Sequence, residues 1–330
     1  MPLSFAVIIC SFDVKLLHDL DEAIQSVRSQ CCSELVDIVI CVDGNTKLCH
    51  LLASMYENVS GVTIVSTGGD TPLGLAHARN TAMTHCSQDV ISFLDDDAIA
   101  DPHWIAEVAE SFAKYRCLVV AGKILPRWKS LPPRWLTPSF YWLVGATGDL
   151  LQDRESYVRS GFGSNISCMR EALDRVGLLE SSLGRRGSTL LQAEDAELGL
   201  RVNEVFGKLA VYNPRALVFH KVGPERLRIS YLLKRAYLQG KSKAIMFGLH
   251  GRNPSVLGEE YHYLRRVLGD MIGTATQLVD PANLAPSLER LFCSVCIASA
   301  VILGFLLNVM GTKFRASLPA ETESLVASGF

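Results

Sequence analysis

Short, continuously apolar runs alternate with longer stretches of helical spacing through the first third of the chain. Ser4–Cys10, Val36–Val42 and Val62–Val65 are runs of this kind, the pattern of strands buried on both faces. Between the first two, Leu16, Leu17, Leu20, Ala23, Ile24 and Val27 recur at helical spacing within residues 15–30, and residues 47–57 also read as a helix. A fourth apolar run, Val90–Leu94, ends in three successive carboxylates, Asp95, Asp96 and Asp97. Strand and helix in alternation predict a doubly wound, mostly parallel α/β sheet with right-handed crossovers. Further on, Ala196–Val202 is helical in pattern and Ala216–Phe219 is strand-like.

Polar residues collect where these strands end. Ser11 and Asp13 follow the first, Asp43 and Gly44 the second, and the three aspartates the fourth. Open α/β sheets bind ligands at the carboxyl ends of their strands. Three adjacent negative charges repel one another unless a cation sits among them, and a hard divalent ion carrying a diphosphate fits. A solvated acidic turn ahead of a helix begun by Asp101-Pro102 is the other reading. Strand-like alternation points Asp96 away from its two neighbours. The loop Gly68–Gly74 is neither a P-loop nor a G-x-G-x-x-G turn, which disfavours P-loop kinases and dehydrogenases.

The C-terminal quarter has a different pattern. Leu291–Met310 carries no charge over 20 residues, about 30 Å as a helix and enough for one membrane span. Arg290 precedes it and Lys313 and Arg315 follow, so flanking charge sets no orientation. A helix dipping into one leaflet, or a buried core helix, has the same composition. Residues 221–266 hold ten Lys or Arg against three Glu, suiting an anionic lipid or a lipid-linked phosphate. The whole chain is nearly neutral at −2, which marks no nucleic-acid partner. Ten cysteines show no zinc spacing, and Cys293 and Cys296 lie in the apolar run as small hydrophobes. Met1-Pro2 leads directly into a strand, so the expectation is a cytosolic catalytic part with reduced thiols.

In this order the motifs resemble family 2 glycosyltransferases with the GT-A fold. The resemblance rests on Ser11-Phe12-Asp13, Val42-Asp43-Gly44, Gly74-x-Ala76-x-Ala78-Arg79-Asn80 and Phe93-Leu94-Asp95-Asp96-Asp97. The later Ser160–Asn165 loop, Glu194-Asp195 and His220 add to it. It covers roughly residues 3–245. Trp128, Leu131–Trp135, Tyr141–Gly145 and Arg235–Lys243 further resemble enzymes that elongate lipid-linked glycans, including dolichyl-phosphate hexuronosyltransferases. One departure is Gly44, where the family often has a second acidic residue, so base selectivity is not carried over.

The resemblance implies a GT-A domain over residues 1–245, with a nucleotide-sugar half to 125 and an acceptor half from 126. A helical linker at 246–290, the membrane-associated helix 291–310 and a flexible tail at 311–330 would follow. It implies Mg²⁺ or Mn²⁺ held by Asp95, Asp97 and His220, and a donor held by Ser11, Asp13, Asp43, Arg79, Asp95, Gly163 and Asn165. Asp195 would be the general base. Glu194, Arg235, Gln239 and Lys241 would meet the acceptor or its phosphate. The implied reaction is inverting transfer from a nucleotide-diphosphate sugar, UDP-sugars favoured, to a lipid-linked acceptor at the cytoplasmic side of the cell membrane. Cell-surface polysaccharide synthesis and a non-catalytic nucleotide-sugar-binding subunit are the alternatives.

Overall fold

The computed structural model describes residues 2–148, 151, 153–185, 191–280 and 282–316; of the tail expected at 311–330, residues 311–316 continue a helix and 317–330 lie outside the described residues. Strands β1 (Ser4–Ser11), β2 (Leu35–Val42), β3 (Val62–Ser66) and β4 (Val90–Asp95) form the parallel half of one sheet. β5 (Ala98–Ala100), β6 (Val119–Trp128), β7 (Ser156–Val158), β8 (Ile166–Met169) and β9 (Ala210–Val222) extend it. The spatial order is β3-β2-β1-β4-β8-β6-β9-β5, with β7 also on β9. β8 runs antiparallel to both β4 and β6, so the sheet is mixed while its first half is parallel.

The apolar runs are continuous because both faces of the sheet are covered. One face, with Phe5, Val7 and Ile9, packs on α1 (Leu17–Arg28), α2 (Thr46–Tyr56) and α4 (Trp104–Tyr115). The other, with Ala6 and Ile8, packs on α3 (Leu75–Met83), α5 (Arg170–Val176) and α6 (Glu194–Phe206). The helix expected over 47–57 begins at Thr46, where the Asn45 side chain accepts from Leu48 N at 2.9 Å and caps it.

A third layer follows the sheet. α7 (Ile229–Leu249), α8 (Gly258–Thr276) and α9 (Leu284–Ala316) pack on the segment between β6 and β7. Trp135, Phe140, Leu143, Leu232, Ala236, Val267, Cys293 and Ile297 are its buried centre. The tryptophan-rich stretches picked out in the sequence are therefore the seat of the C-terminal helices. α7 runs through residue 245 and β6 through residue 125, so neither expected division falls between elements.

α9 is not a detached anchor. It crosses α7 backbone to backbone: a Cβ on Gly304 would lie 2.0 Å from Tyr237 O, and one on Gly240 would lie 2.0 Å from Val301 O. Its opposite face shows Leu288, Phe292, Val295, Leu303 and Leu307 to the outside. Leu284–Val309 is long and apolar enough to cross a membrane, and about a fifth of it is buried in the protein. Three residues of the basic run before it are taken up inside the protein. Lys221 pairs with Asp19 and Glu22, and Lys243 with Glu260. Arg235 is buried.

Candidate active site

Asp95 ends β4 and is placed by pairing with Cys10 of β1. β5 then turns back antiparallel on β9, with Ala98 opposite His220. That register brings Asp97 to the end of β9, where its carbonyl accepts from Lys221 N at 2.9 Å. Asp95, Asp97 and His220 thus present ligand atoms within 4.8 Å of one another. His220 Nε2 lies 3.1 Å from Asp97 Oδ1. Gly145 (φ +86°) lies against the imidazole, where a Cβ would come within 3.0 Å of Cε1. Two carboxylates and one imidazole are a donor set that suits Mg²⁺ or Mn²⁺, and the buried Nδ1 of His220 has no partner among the described residues.

Electrostatics at this triplet are unequal. Burial works against the charge of Asp97, but His220 and Arg226 outweigh it and hold the carboxyl far below its ordinary range. Asp96, which strand alternation points away from its two neighbours, is not part of the triplet. β4 ends at Asp95, so the period of two stops there, and Asp96 is partly buried. That burial, then the charge of Asp97, pushes the Asp96 carboxyl up to about 8.

A second cluster shares Asp95. Arg79 on α3 is 4% exposed and forks between carboxylates: Nη2 lies 3.0 Å from Asp95 Oδ1 and Nη1 lies 3.3 Å from Glu194 Oε1. The same Nη2 donates to Gly163 O at 2.8 Å. Gly163 N in turn donates to Asp195 Oδ2 at 2.8 Å. A Cβ on Gly163 would meet Arg79 Nη1 at 2.5 Å, which is why the loop has no side chain there. Burial would lower the guanidinium's pKa, but Asp95 and Glu194 raise it above its ordinary value. Burial, and then the charge of Asp195, push the Glu194 carboxyl up to about 7. Asp195 starts α6, is half-buried, and borders an apolar groove.

The residues expected on the donor side have these partners within the chain. Arg79 has its guanidinium between Asp95, Glu194 and Gly163 O. Asn165 is a brace. Trp104 Nε1 donates to its Oδ1 at 2.8 Å, and its Nδ2 donates to Lys123 O and Ala216 O, both at 2.9 Å. Those carbonyls flank the bulge where the β6–β9 register slips after Gly122. Asp43 pins the glycine loop, accepting from Leu73 N, Gly74 N and Thr67 Oγ1 at 2.8–2.9 Å. Asp13 caps a turn by accepting from Lys15 N. Gly44 has φ +57°, and a Cβ there would lie 2.2 Å from Thr71 C, so an acidic side chain does not fit. Ser11 is buried at the end of β1.

On the acceptor side, Gln239 lines the groove. Arg235 is buried and donates to Gln192 Oε1. Lys241 is not among the groove's lining residues, whereas Lys243 is, because successive helical positions fan around the axis. The groove, about 490 Å³, runs from Asp195, Phe162 and Gln192 between α7 and α8 to Ile297, Val301 and Phe305 of α9. Two residues escaped the sequence reading. Arg226, in the turn after β9, donates from Nη2 to Asp97 Oδ2 at 2.7 Å. Arg159 donates to Glu260 from Nη1 at 2.9 Å and from Nη2 at 2.8 Å. Their partners are about 100 or more residues distant, so no local motif flags them.

Paired aspartates at a strand end, a late histidine on the same sheet and a carboxylate pair starting a facing helix are the layout of a GT-A enzyme. Residues 6–177 match the glycosyl transferase family 2 model, and the chain belongs to that family. It is 27% identical to the glucosyl-dolichyl phosphate glucuronosyltransferase of Haloferax volcanii, over 92% of this chain and 96% of the relative. It is 26% identical to the succinoglycan biosynthesis protein ExoM of Rhizobium meliloti, over 57% of this chain and 55% of that one. Among solved structures, the mannosyltransferase PcManGT from Pyrobaculum calidifontis, in complex with GDP-Man and Mn²⁺, superposes with a TM-score of 0.59. The match covers 93% of this chain and 88% of that one at 16% identity, a likeness of fold. GalNAc-T7 with UDP, GalNAc and Mn²⁺ gives a TM-score of 0.52 at 17% identity over 74% of this chain and 50% of that one. The chain is a family 2 glycosyltransferase that uses nucleotide sugars.

Proposed function

We propose that this enzyme moves a sugar from a nucleotide-diphosphate sugar to the glycan of a lipid-linked acceptor, at the membrane surface where α9 is seated. The observation that carries this reading is the groove, which Asp195 and the apolar helix α9 both line. It offers a carboxylate to a sugar hydroxyl and an apolar wall to a lipid chain. The relative from Haloferax volcanii, named for a glucosyl-dolichyl phosphate, supports the same acceptor class. Ten free cysteines agree with a reducing, cytoplasmic-side location for the catalytic domain.

Asp95, Asp97 and His220 would hold Mg²⁺ or Mn²⁺, which when bound supplies Lewis-acid neutralisation of the leaving diphosphate. Asp195, oriented through Gly163 N, accepts the acceptor's hydroxyl proton as that oxygen bonds to the anomeric carbon. The bond from that carbon to the diphosphate oxygen breaks with its electron pair on the leaving group. Single displacement inverts the anomeric carbon. Arg79 positions the reaction, tying Asp95 to the loop that aims Asp195.

Asp195→Asn keeps the shape and removes the base, which is worth about 10²–10⁴-fold. Transfer to a lipid-linked acceptor by the detergent-solubilised chain should fall by that factor while donor binding, read by calorimetry, stays. Full transfer activity in Asp195→Asn would remove the assignment.

A further inference from the structure

Asp97 has a partner on each oxygen. Oδ1 faces His220 Nε2 at 3.1 Å, and Oδ2 accepts from Arg226 Nη2 at 2.7 Å. The other guanidinium nitrogen, Nη1, lies 3.2 Å from the same His220 Nε2. One arginine therefore reaches both of the side chains that, with Asp95, form the cation centre of the proposed function: it donates to Asp97 and lies beside the His220 nitrogen that also faces Asp97. It comes from a single short turn, Pro224–Leu227, set between the end of β9 and the start of α7. Its side chain is about one-fifth exposed.

The charges around this contact do not balance for two cations. Asp95 is already paired with Arg79, which leaves Asp97 to face a divalent ion and Arg226 together. An imidazole nitrogen that accepts from a guanidinium N–H has no second lone pair for a metal. A nucleotide's diphosphate is the group that resolves both conflicts. It adds the missing negative charge, and it offers oxygens in the geometry a guanidinium fork prefers. Gly223 and Pro224 lead into the turn, Glu225 is exposed, and Leu227 is only partly buried against the third layer.

We propose that Arg226 competes with the divalent cation for Asp97 and His220 and transfers to the donor's diphosphate, so that cation and nucleotide bind cooperatively. The inference rests on the cation centre assigned above. Cooperativity of this kind is reciprocal: what the nucleotide adds to cation affinity, the cation adds to nucleotide affinity. A donor or product diphosphate then fixes when the centre is filled, and Arg226 is the element both ligands bias.

The test is Mn²⁺ binding read by electron paramagnetic resonance on the full-length, detergent-solubilised chain, with Mn²⁺ alone and with Mn²⁺ plus UDP or GDP. Arg226→Gln, Arg226→Lys and Asp97→Ala are compared with the wild type, with circular dichroism and melting confirming that each is folded. Wild type should bind Mn²⁺ weakly alone and more tightly with one of the nucleotides. Arg226→Gln should bind Mn²⁺ alone about tenfold more tightly than wild type, the scale on which one neighbouring charge moves an ionic equilibrium. Its nucleotide-dependent gain should shrink to less than about threefold, in keeping with loss of the coupling group. Arg226→Lys, which keeps the charge without the fork, should fall between them. Mn²⁺ binding by Arg226→Gln that is unchanged or weaker overturns the proposal for Arg226. Mn²⁺ binding by Asp97→Ala equal to wild type overturns the cation centre itself, so the two failures are told apart.

Discussion

At the scale of single residues, the site is built from side chains that answer one another's charge across long stretches of sequence. Arg79 is the clearest case, because it is buried and serves Asp95, Glu194 and the Gly163 carbonyl at once. Arg79→Met keeps the bulk and deletes the charge, leaving two carboxylates without their partner. Removing one member of a buried ion pair costs about 3–5 kcal/mol, so a chemical melt of Arg79→Met should show a loss of that order. Arg79→Lys should recover little of it, since an ammonium cannot fork between three acceptors. A near-native melt for Arg79→Met would show that the carboxylates relax to water without it. The aspartates themselves were legible in the sequence because a strand that runs into acid announces where its side chains finish. Arg226 was not, since nothing around it signals an approach to Asp97, 129 residues earlier. The partners of Asn165 were hidden for the same reason. It stands in a motif-like loop, but its amide is spent on carbonyls 42 and 51 residues away.

At the scale of elements, spacing predicted what local hydrophobicity controls and missed what contact between elements decides. β1, β2, β3 and β4 lie where the apolar runs are, with ends differing by a residue or so. α7 carries much of the basic run that was expected to suit an anionic lipid or a lipid-linked phosphate. Its Leu232, Ala236 and Gly240 instead face inward, against the third layer and α9. The uncharged run was legible as a helix, but not its 33-residue length or its close crossing with α7. That crossing depends on two glycines that helical periodicity treats as neutral. Gly304→Val would drive methyl groups into the Tyr237 carbonyl. Overpacking of this kind costs about 1–3 kcal/mol, and the α7–α9 contact is where it would fall. Limited proteolysis should then release the C-terminal helix from a sheet that remains intact, whereas Gly248→Ala, with open space around its Cβ, should not. Equal resistance of Gly304→Val and the wild type would mean that α9 shifts along α7 without loss.

At the scale of the whole molecule, a two-faced sheet core carries a third layer through few polar ties. The most concentrated tie is Glu260, which accepts from Arg159 and pairs with Lys243 at 2.9 Å. Burial disfavours its charge, but Lys243 and Arg159 outweigh that and hold the carboxyl well below its ordinary range. The folded pKa is therefore below the unfolded one. The pair's contribution is complete above the ordinary glutamate range and fades as the pH falls below it toward the folded value. Acidification should loosen α8 before the sheet, seen as hydrogen exchange rising first in residues 258–276. Glu260→Gln should show that loosening already at neutral pH. Simultaneous exchange of α8 and the sheet strands in the wild type would place the tie elsewhere.

The Gly240–Gly304 crossing also couples two surfaces. α7 carries Gln239 and Lys243 on the groove wall and Gly240 against α9, where no side chain cushions the contact. A displacement of α9 is therefore handed on to the groove wall, and whatever holds the outer face of that helix also holds the shape of the groove that Asp195 lines.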